Sequence, residues 1–124
     1  SLPLAVTMMT EWGYGRQGHF FAASQPGHSL LGIGRELMMA NAQDALPADL
    51  LACNQFDATN IAAEIEAPVL CILAQDDKMT PVKLGIKMSD TFKNSTCVTI
   101  AQSGHMLPIE KPDDVNSSIQ KFLN

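Results

Sequence analysis

The sequence predicts an α/β fold in which a helical first half is followed by a βαβα unit with two parallel strands. Two short apolar runs rich in β-branched residues, 69–74 and 96–101, are each followed by a polar turn. The first turn carries Asp76 and Asp77 and the second carries His105. A parallel sheet presents side chains in this way at the carboxyl ends of its strands. The stretch between the two runs is long enough for a crossover helix, and the chain before residue 67 shows helical rather than alternating periodicity.

Taken in order, residues 2–11 are apolar and Met-rich with Pro3 in a first-turn position, which predicts a short helix. Trp12-Gly-Tyr-Gly-Arg-Gln-Gly18 breaks it, and the glycines up to Gly27 make 12–29 a loop region with a short turn of helix at 19–24. From 30 to 43 the residues Leu30, Leu31, Ile33, Leu37, Met38 and Ala42 recur near a 3.6-residue period and predict an amphipathic helix. Pro47 starts a helix over 47–53, and Asp57 is placed to cap another with Ile61, Ala62 and Ile65 on one face. The second half then runs as strand 69–74, helix 81–93 with Val82, Ile86 and Phe92 inward, strand 96–101 and helix 113–123. Asp113 and Asp114 suit the first turn of that last helix, and Val115, Ile119, Phe122 and Leu123 form its apolar stripe. The run Val69-Leu-Cys-Ile-Leu73 reads as buried on both faces.

With 124 residues the chain is one domain by length, able to bury about two thirds of its unfolded surface. A hydrophobic content of 46% with 17% charged residues excludes a disordered chain. The formal charge of −5, without any basic cluster to neutralise phosphates, argues against a nucleic-acid partner. Cys53, Cys71 and Cys97 lack metal or redox spacing and read as buried small hydrophobes, which fits a reducing cytoplasm. No apolar stretch approaches the roughly 18 to 20 residues that span a bilayer, and no signal-peptide layout is present. The sequence starts with Ser1, which leaves open that its natural beginning lies upstream.

The segment 67–123 resembles the C-terminal end of an α/β-hydrolase. The matching pieces are Ala67-Pro68 before the first strand, Asp77 with Pro81 four positions on, Gly104-His105 after the second strand, and Glu110-Lys-Pro112 leading into the final helix. The helical first half is similar to the family's cap, although its helices are far less diagnostic. The resemblance implies a truncated α/β-hydrolase: a helical cap-like region over 1–66 and the C-terminal βαβα part of the core over 67–124. It implies that Asp77 and His105 stand where the family has the acid and base of a Ser-His-Asp triad, reached in the order Ser, Asp, His. Asp76 is then the solvent-facing neighbour, and both aspartates as plain turn residues is the competing reading. The early strands, the oxyanion-hole loop and the nucleophile elbow are absent from this sequence.

The nucleophile is unknown. Gly27-His-Ser-Leu-Leu-Gly32 looks like an elbow, but the pattern Gly-x-Ser-x-Gly needs glycine where Leu31 stands, and Pro26 precedes it where a strand should end. Ser29 is better read as a cap for the helix that follows. Cys53 has no histidine near it in sequence and small apolar neighbours, which suggest core. His19 and His28 lie in Gly-rich loops and read as solvated; the histidine spacing fits no metal and nothing implies a cofactor.

Two functions stay open. One is a partial or degenerate hydrolase that keeps the Asp77-His105 scaffold but is inactive alone, or becomes a hydrolase only with an N-terminal partner. The other is a stand-alone binding module whose apolar cleft, lined by Met8, Met9, Trp12, Phe20, Phe21, Leu37 and Met38, takes a small apolar ligand or a partner protein. In the family's strand order, strand 69–74 pairs on its other side with a strand that this sequence does not contain. Either the helices of the first half fold over that edge, or a second copy pairs with it antiparallel, and a homodimer is the expectation.

Overall fold

The computed structural model describes residues 1–19, 27–41 and 45–124. The turn of helix expected at 19–24, the end of the helix expected at 42–43, and Phe20 and Phe21 lie largely or wholly outside the described residues. The element order is α1 (Leu2–Gly13), a 3-10 turn (Arg16–His19), α2 (Leu30–Asn41), α3 (Leu46–Gln55), α4 (Thr59–Ala62), β1 (Val69–Ala74), α5 (Val82–Ser89), β2 (Ser95–Ile100), α6 (Leu107–Glu110) and α7 (Pro112–Leu123).

The strands pair parallel, from Val69 opposite Ser95 to Ala74 opposite Ile100. Their carboxyl ends are locked by further backbone bonds, Gln75 N–H to the Ile100 carbonyl at 3.0 Å and Asp76 N–H to the Ser103 carbonyl at 2.9 Å. One face of the sheet carries the core: Ala74, Ile100 and Leu107 are buried, with Ile72, Val98 and Val115 packed on them, so α6 and α7 close that side. On the other face α5 lies against β1 because Gly85 has no side chain; a Cβ there would come within 2.5 Å of Leu73 Cδ2.

That contact sets the rotation of α5 and corrects the sequence reading. The buried or half-buried line is Val82, Gly85 and Ser89, while Ile86, expected to point inward, is 43% exposed. The helix also ends at Ser89 instead of continuing to 93, where the Ser95 hydroxyl donates to the Ser89 carbonyl at 2.8 Å. In α7, Val115, Ser118 and Phe122 are half-buried, and Ile119 and Leu123 are exposed flanks of the expected stripe. The one-turn helix α6 was not expected. Burial of β1 is partial on each face: Cys71 on one and Ala74 on the other are buried, and the remaining residues along it are half-buried. Cys97, opposite Cys71, is exposed, and Cys53 is exposed on α3, which buries no residue.

In the first half, α1 buries Val6, Thr10 and Gly13, spaced i, i+4 and i+7, and packs against α2. The Thr10 hydroxyl is satisfied by donating to carbonyls of its own helix. Tyr14 follows as a buried wedge. A Cβ on Gly34 of α2 would stand 2.5 Å from its Oη, and one on Gly18 would collide with its ring. Ser29 Oγ accepts the Gly32 N–H at 3.0 Å and acts at the start of α2 as expected, whereas Asp57 Oδ1 accepts the Thr59 N–H at 2.9 Å from one residue outside the N-cap of α4, which is Ala58.

Candidate functional site

Asp77 and His105 meet at the carboxyl end of the sheet. His105 Nδ1 lies 2.9 Å from Asp77 Oδ2. The aspartate is built in by its own turn: Oδ1 accepts the N–H groups of Met79 at 2.9 Å and Thr80 at 2.8 Å. The Thr80 hydroxyl donates to Oδ2 at 2.9 Å and stands 3.2 Å from His105 Nδ1. Short Asp and Thr side chains that bond backbone or hydroxyl two or three residues on favour such turns. The Asp77 side chain is 10% exposed and that of His105 37%. Burial pushes the Asp77 carboxyl up, but the bonds from the Thr80 amide, His105 and the Thr80 hydroxyl outweigh it and hold it below the ordinary aspartate value. With Nδ1 facing Asp77, Nε2 is the ring nitrogen left for another group.

The loop carrying His105 is fixed through its backbone. Ser103, fully buried, donates its hydroxyl to the Ile100 carbonyl at 2.8 Å. Gln102 before it takes the left-handed φ of 53°. Gly104 N–H donates to both Glu110 oxygens at 3.1 Å, and Met106 N–H donates to the Gly13 carbonyl at 2.9 Å. Glu110 Oε2 also accepts the Gly15 N–H at 2.9 Å. Burial, and then the Glu110 carboxylate, raise the Tyr14 phenol above its ordinary value.

Thr80, Tyr14, Gly15 and Glu110 are the parts that sequence reasoning missed as site residues. Thr80 carried a local signal, Asp followed three positions on by a hydroxyl. The other three meet only through tertiary contact.

A groove of about 580 Å³ opens beside the pair, with Asp77, Thr80 and His105 among its lining residues. Ile72, Leu107 and Val115 from one face of the sheet line it together with Leu73, Leu84 and Met88 from the other, so it wraps the edge of β1 opposite β2. Among the described residues no strand pairs with that edge. A more polar cleft of about 620 Å³ lies between Glu11, Tyr14 and Arg16 on one side and Asp76, Lys78 and Gln102 on the other. Asp76 is exposed there.

Of the apolar residues read as a ligand cleft, Met8, Trp12 and Leu37 are exposed and Met38 is half-buried; Phe20 lies outside the described residues. Of these four described residues, none lines either cavity. His28 is exposed. Among the described residues no three His, Cys, Asp or Glu side chains gather as a metal site, and no helix is long and apolar enough to cross a membrane.

A family model described as TAP-like protein matches residues 43–124. BpoC of Mycobacterium tuberculosis, which carries the provisional name of a non-heme bromoperoxidase, is 40% identical over 59 residues, or 48% of this chain and 22% of that protein. YugF of Bacillus subtilis, named an uncharacterized hydrolase, is 27% identical over 60 residues, again 48% of this chain and 22% of its own length. Among solved structures, a thermophilic esterase superposes on 98% of this chain with a TM-score of 0.81 and 26% identity, over 45% of its own chain. An esterase of Exiguobacterium antarcticum does so over 98% of this chain and 42% of its own, with a TM-score of 0.76 at 14% identity, a likeness of fold alone. The matched segments thus span about a fifth of the curated relatives.

Proposed function

Because the chain belongs to the α/β-hydrolase family, we propose that it supplies the acid and the histidine of a Ser-His-Asp ester hydrolase and is inert until a nucleophile-bearing part of the same fold docks along the free edge of β1. The observation that carries this reading is the 2.9 Å bond between Asp77 Oδ2 and His105 Nδ1, with the other Asp77 oxygen held by two backbone N–H groups. An aspartate so fixed sets the imidazole tautomer and stabilises the imidazolium. Nε2 then takes the proton of a serine hydroxyl as the serine attacks the ester carbonyl, and returns it to the leaving alkoxide. The serine is not in this sequence, since no Gly-x-Ser-x-Gly occurs in it and Ser29 Oγ is engaged as a helix cap.

The surface supports a missing neighbour. The accessible area is 8647 Å², against about 6,500 Å² expected for a compact monomer of this size. Exposed Leu84 and Met88 border the unpaired edge. In the absence of the nucleophile-bearing part, two copies cover that edge by antiparallel pairing of β1, which makes the isolated chain a homodimer. The three free cysteines support a reducing, cytoplasmic setting.

The test has two arms. The isolated chain should turn over no p-nitrophenyl acetate and take no fluorophosphonate label; stoichiometric labelling at Ser29 overturns the reading. A hybrid in which residues 67–124 replace the equivalent segment of the thermophilic esterase should hydrolyse the ester and lose on the order of 10⁶-fold in kcat with His105→Ala. A hybrid that folds and is inactive, or whose activity survives His105→Ala, sinks it.

A further inference from the structure

We propose that Glu110 is a positioning residue: its buried carboxylate holds the backbone beside His105 and thereby holds the imidazole against Asp77. The proposal rests on the reading of Asp77 and His105 as an acid–histidine pair. Glu110 is 6% exposed, and its two oxygens take up the N–H groups of Gly104 and Gly15, one residue before the histidine and one residue after Tyr14. The two glycines are pressed together around it. A Cβ on Gly15 would stand 2.7 Å from Gly104 N and 2.8 Å from Glu110 Oε2, and one on Gly104 would collide with Gly15 N.

The histidine ring needs this support. It is more than a third exposed and has Asp77 and Thr80 as its side-chain partners, both in the turn after β1. Its direction is therefore set by the loop backbone, which is tied on each side of position 105: Gly104 to Glu110, and Met106 to the Gly13 carbonyl. Glu110 is the one side chain in that set, and it joins the histidine loop to the first half of the chain through Gly15. A carboxylate fits two converging N–H donors because both of its oxygens accept, whereas an amide offers one acceptor and turns an NH₂ against the second donor.

The experiment reads the imidazole directly in the ¹⁵N-labelled full chain. In the wild type the ring nitrogens should show the Nδ1–H tautomer, with an Nδ1 proton protected from solvent exchange by Asp77. Asp77→Asn should abolish that signature; if it does not, the acid–histidine reading itself fails, and the proposal with it. Given that control, Glu110→Ala should speed exchange of the Nδ1 proton at least tenfold and mix the tautomers. Ile119→Ala, a truncation on the exposed flank of α7, should leave both unchanged. Glu110→Gln, nearly isosteric, carries the test if the alanine variant does not fold, and should give an intermediate exchange rate. A folded Glu110 variant with the wild-type tautomer and exchange rate, in a protein where Asp77→Asn does alter them, overturns the positioning role alone. So does Ile119→Ala if it shifts the signature as much as Glu110→Ala.

Discussion

At the carboxyl end of the sheet the polar groups around His105 have named partners: Asp77 takes four donors, Ser103 and Gly104 are tied to the Ile100 carbonyl and Glu110, and Met106 to Gly13. A few residues away, along the edge of β1, the backbone has no strand partner among the described residues, and Leu84 and Met88 stand open beside it. The contrast teaches that order and exposure divide within this one region: Asp77 and His105 are held by contacts internal to the chain, whereas the edge beside them is uncovered among the described residues.

The largest expected effect comes from breaking the tied end. Gly104→Ala drives a Cβ into the Gly15 amide and the Tyr14 backbone, and overpacking of this kind costs about 3 kcal/mol. Urea unfolding of the variant should show it as a lowered midpoint, and a loss under about 1 kcal/mol would mean the loop is not as tightly held as described.

Next in size is the acid itself. The Asp77 carboxyl is held below its ordinary value, so the stability it contributes is present above the unfolded-state value of about 3.9 and is lost as pH falls through the lower folded-state value. Asp77→Asn should cost about 1 kcal/mol at pH 7 and flatten the acid limb of the stability profile. Tyr14 has the opposite sign. Its phenol is raised, so stability is complete below the ordinary value of about 10 and declines as pH rises through the folded-state value. Tyr14→Phe should remove that alkaline decline, and an unchanged slope would argue against burial of the neutral phenol as its cause.

The smallest effect on stability is expected at the open edge. Leu84, 54% exposed, replaced by Lys should change the unfolding free energy by no more than about 0.5 kcal/mol. The same change should abolish self-association in light scattering at micromolar concentration. A clean wild-type monomer would show instead that the edge is covered by other means.

The same contrast explains what could be read from sequence. That Asp77 and His105 stand in the turns after the two strands was legible because each follows its own apolar run in a polar turn, a signal contained in about ten residues; their roles as acid and base came only from the family resemblance. Ser29 as a helix-start residue was legible for the same local reason, whereas the cap position of α4 falls one residue beyond Asp57, at Ala58. The inward face of α5 was not legible. Periodicity favours Ile86, but the packing is decided by Gly85 against Leu73, where the missing side chain matters more than the apolar ones beside it. Cys97 and Cys53 were misread as buried because an apolar setting in sequence does not reveal whether another layer covers it. Glu110 stands out in sequence only as part of the family-like lead into the final helix, and its contact with Gly15 could not be seen because that residue lies in another part of the chain.

The Glu110 contact also bears on the order in which the molecule assembles. Asp77 and His105 are 28 residues apart, whereas Glu110 and Gly15 are 95 apart. Closing the longer loop costs about 1 kcal/mol more in chain entropy. Contacts of high sequence separation also form late when nothing nearer prepays them. The second half can therefore bring acid and histidine into proximity early, while the final aim of the imidazole waits for α1 and Tyr14 to dock. A kinetic experiment would see this as two events in one polypeptide, strand pairing first and ring immobilisation afterwards.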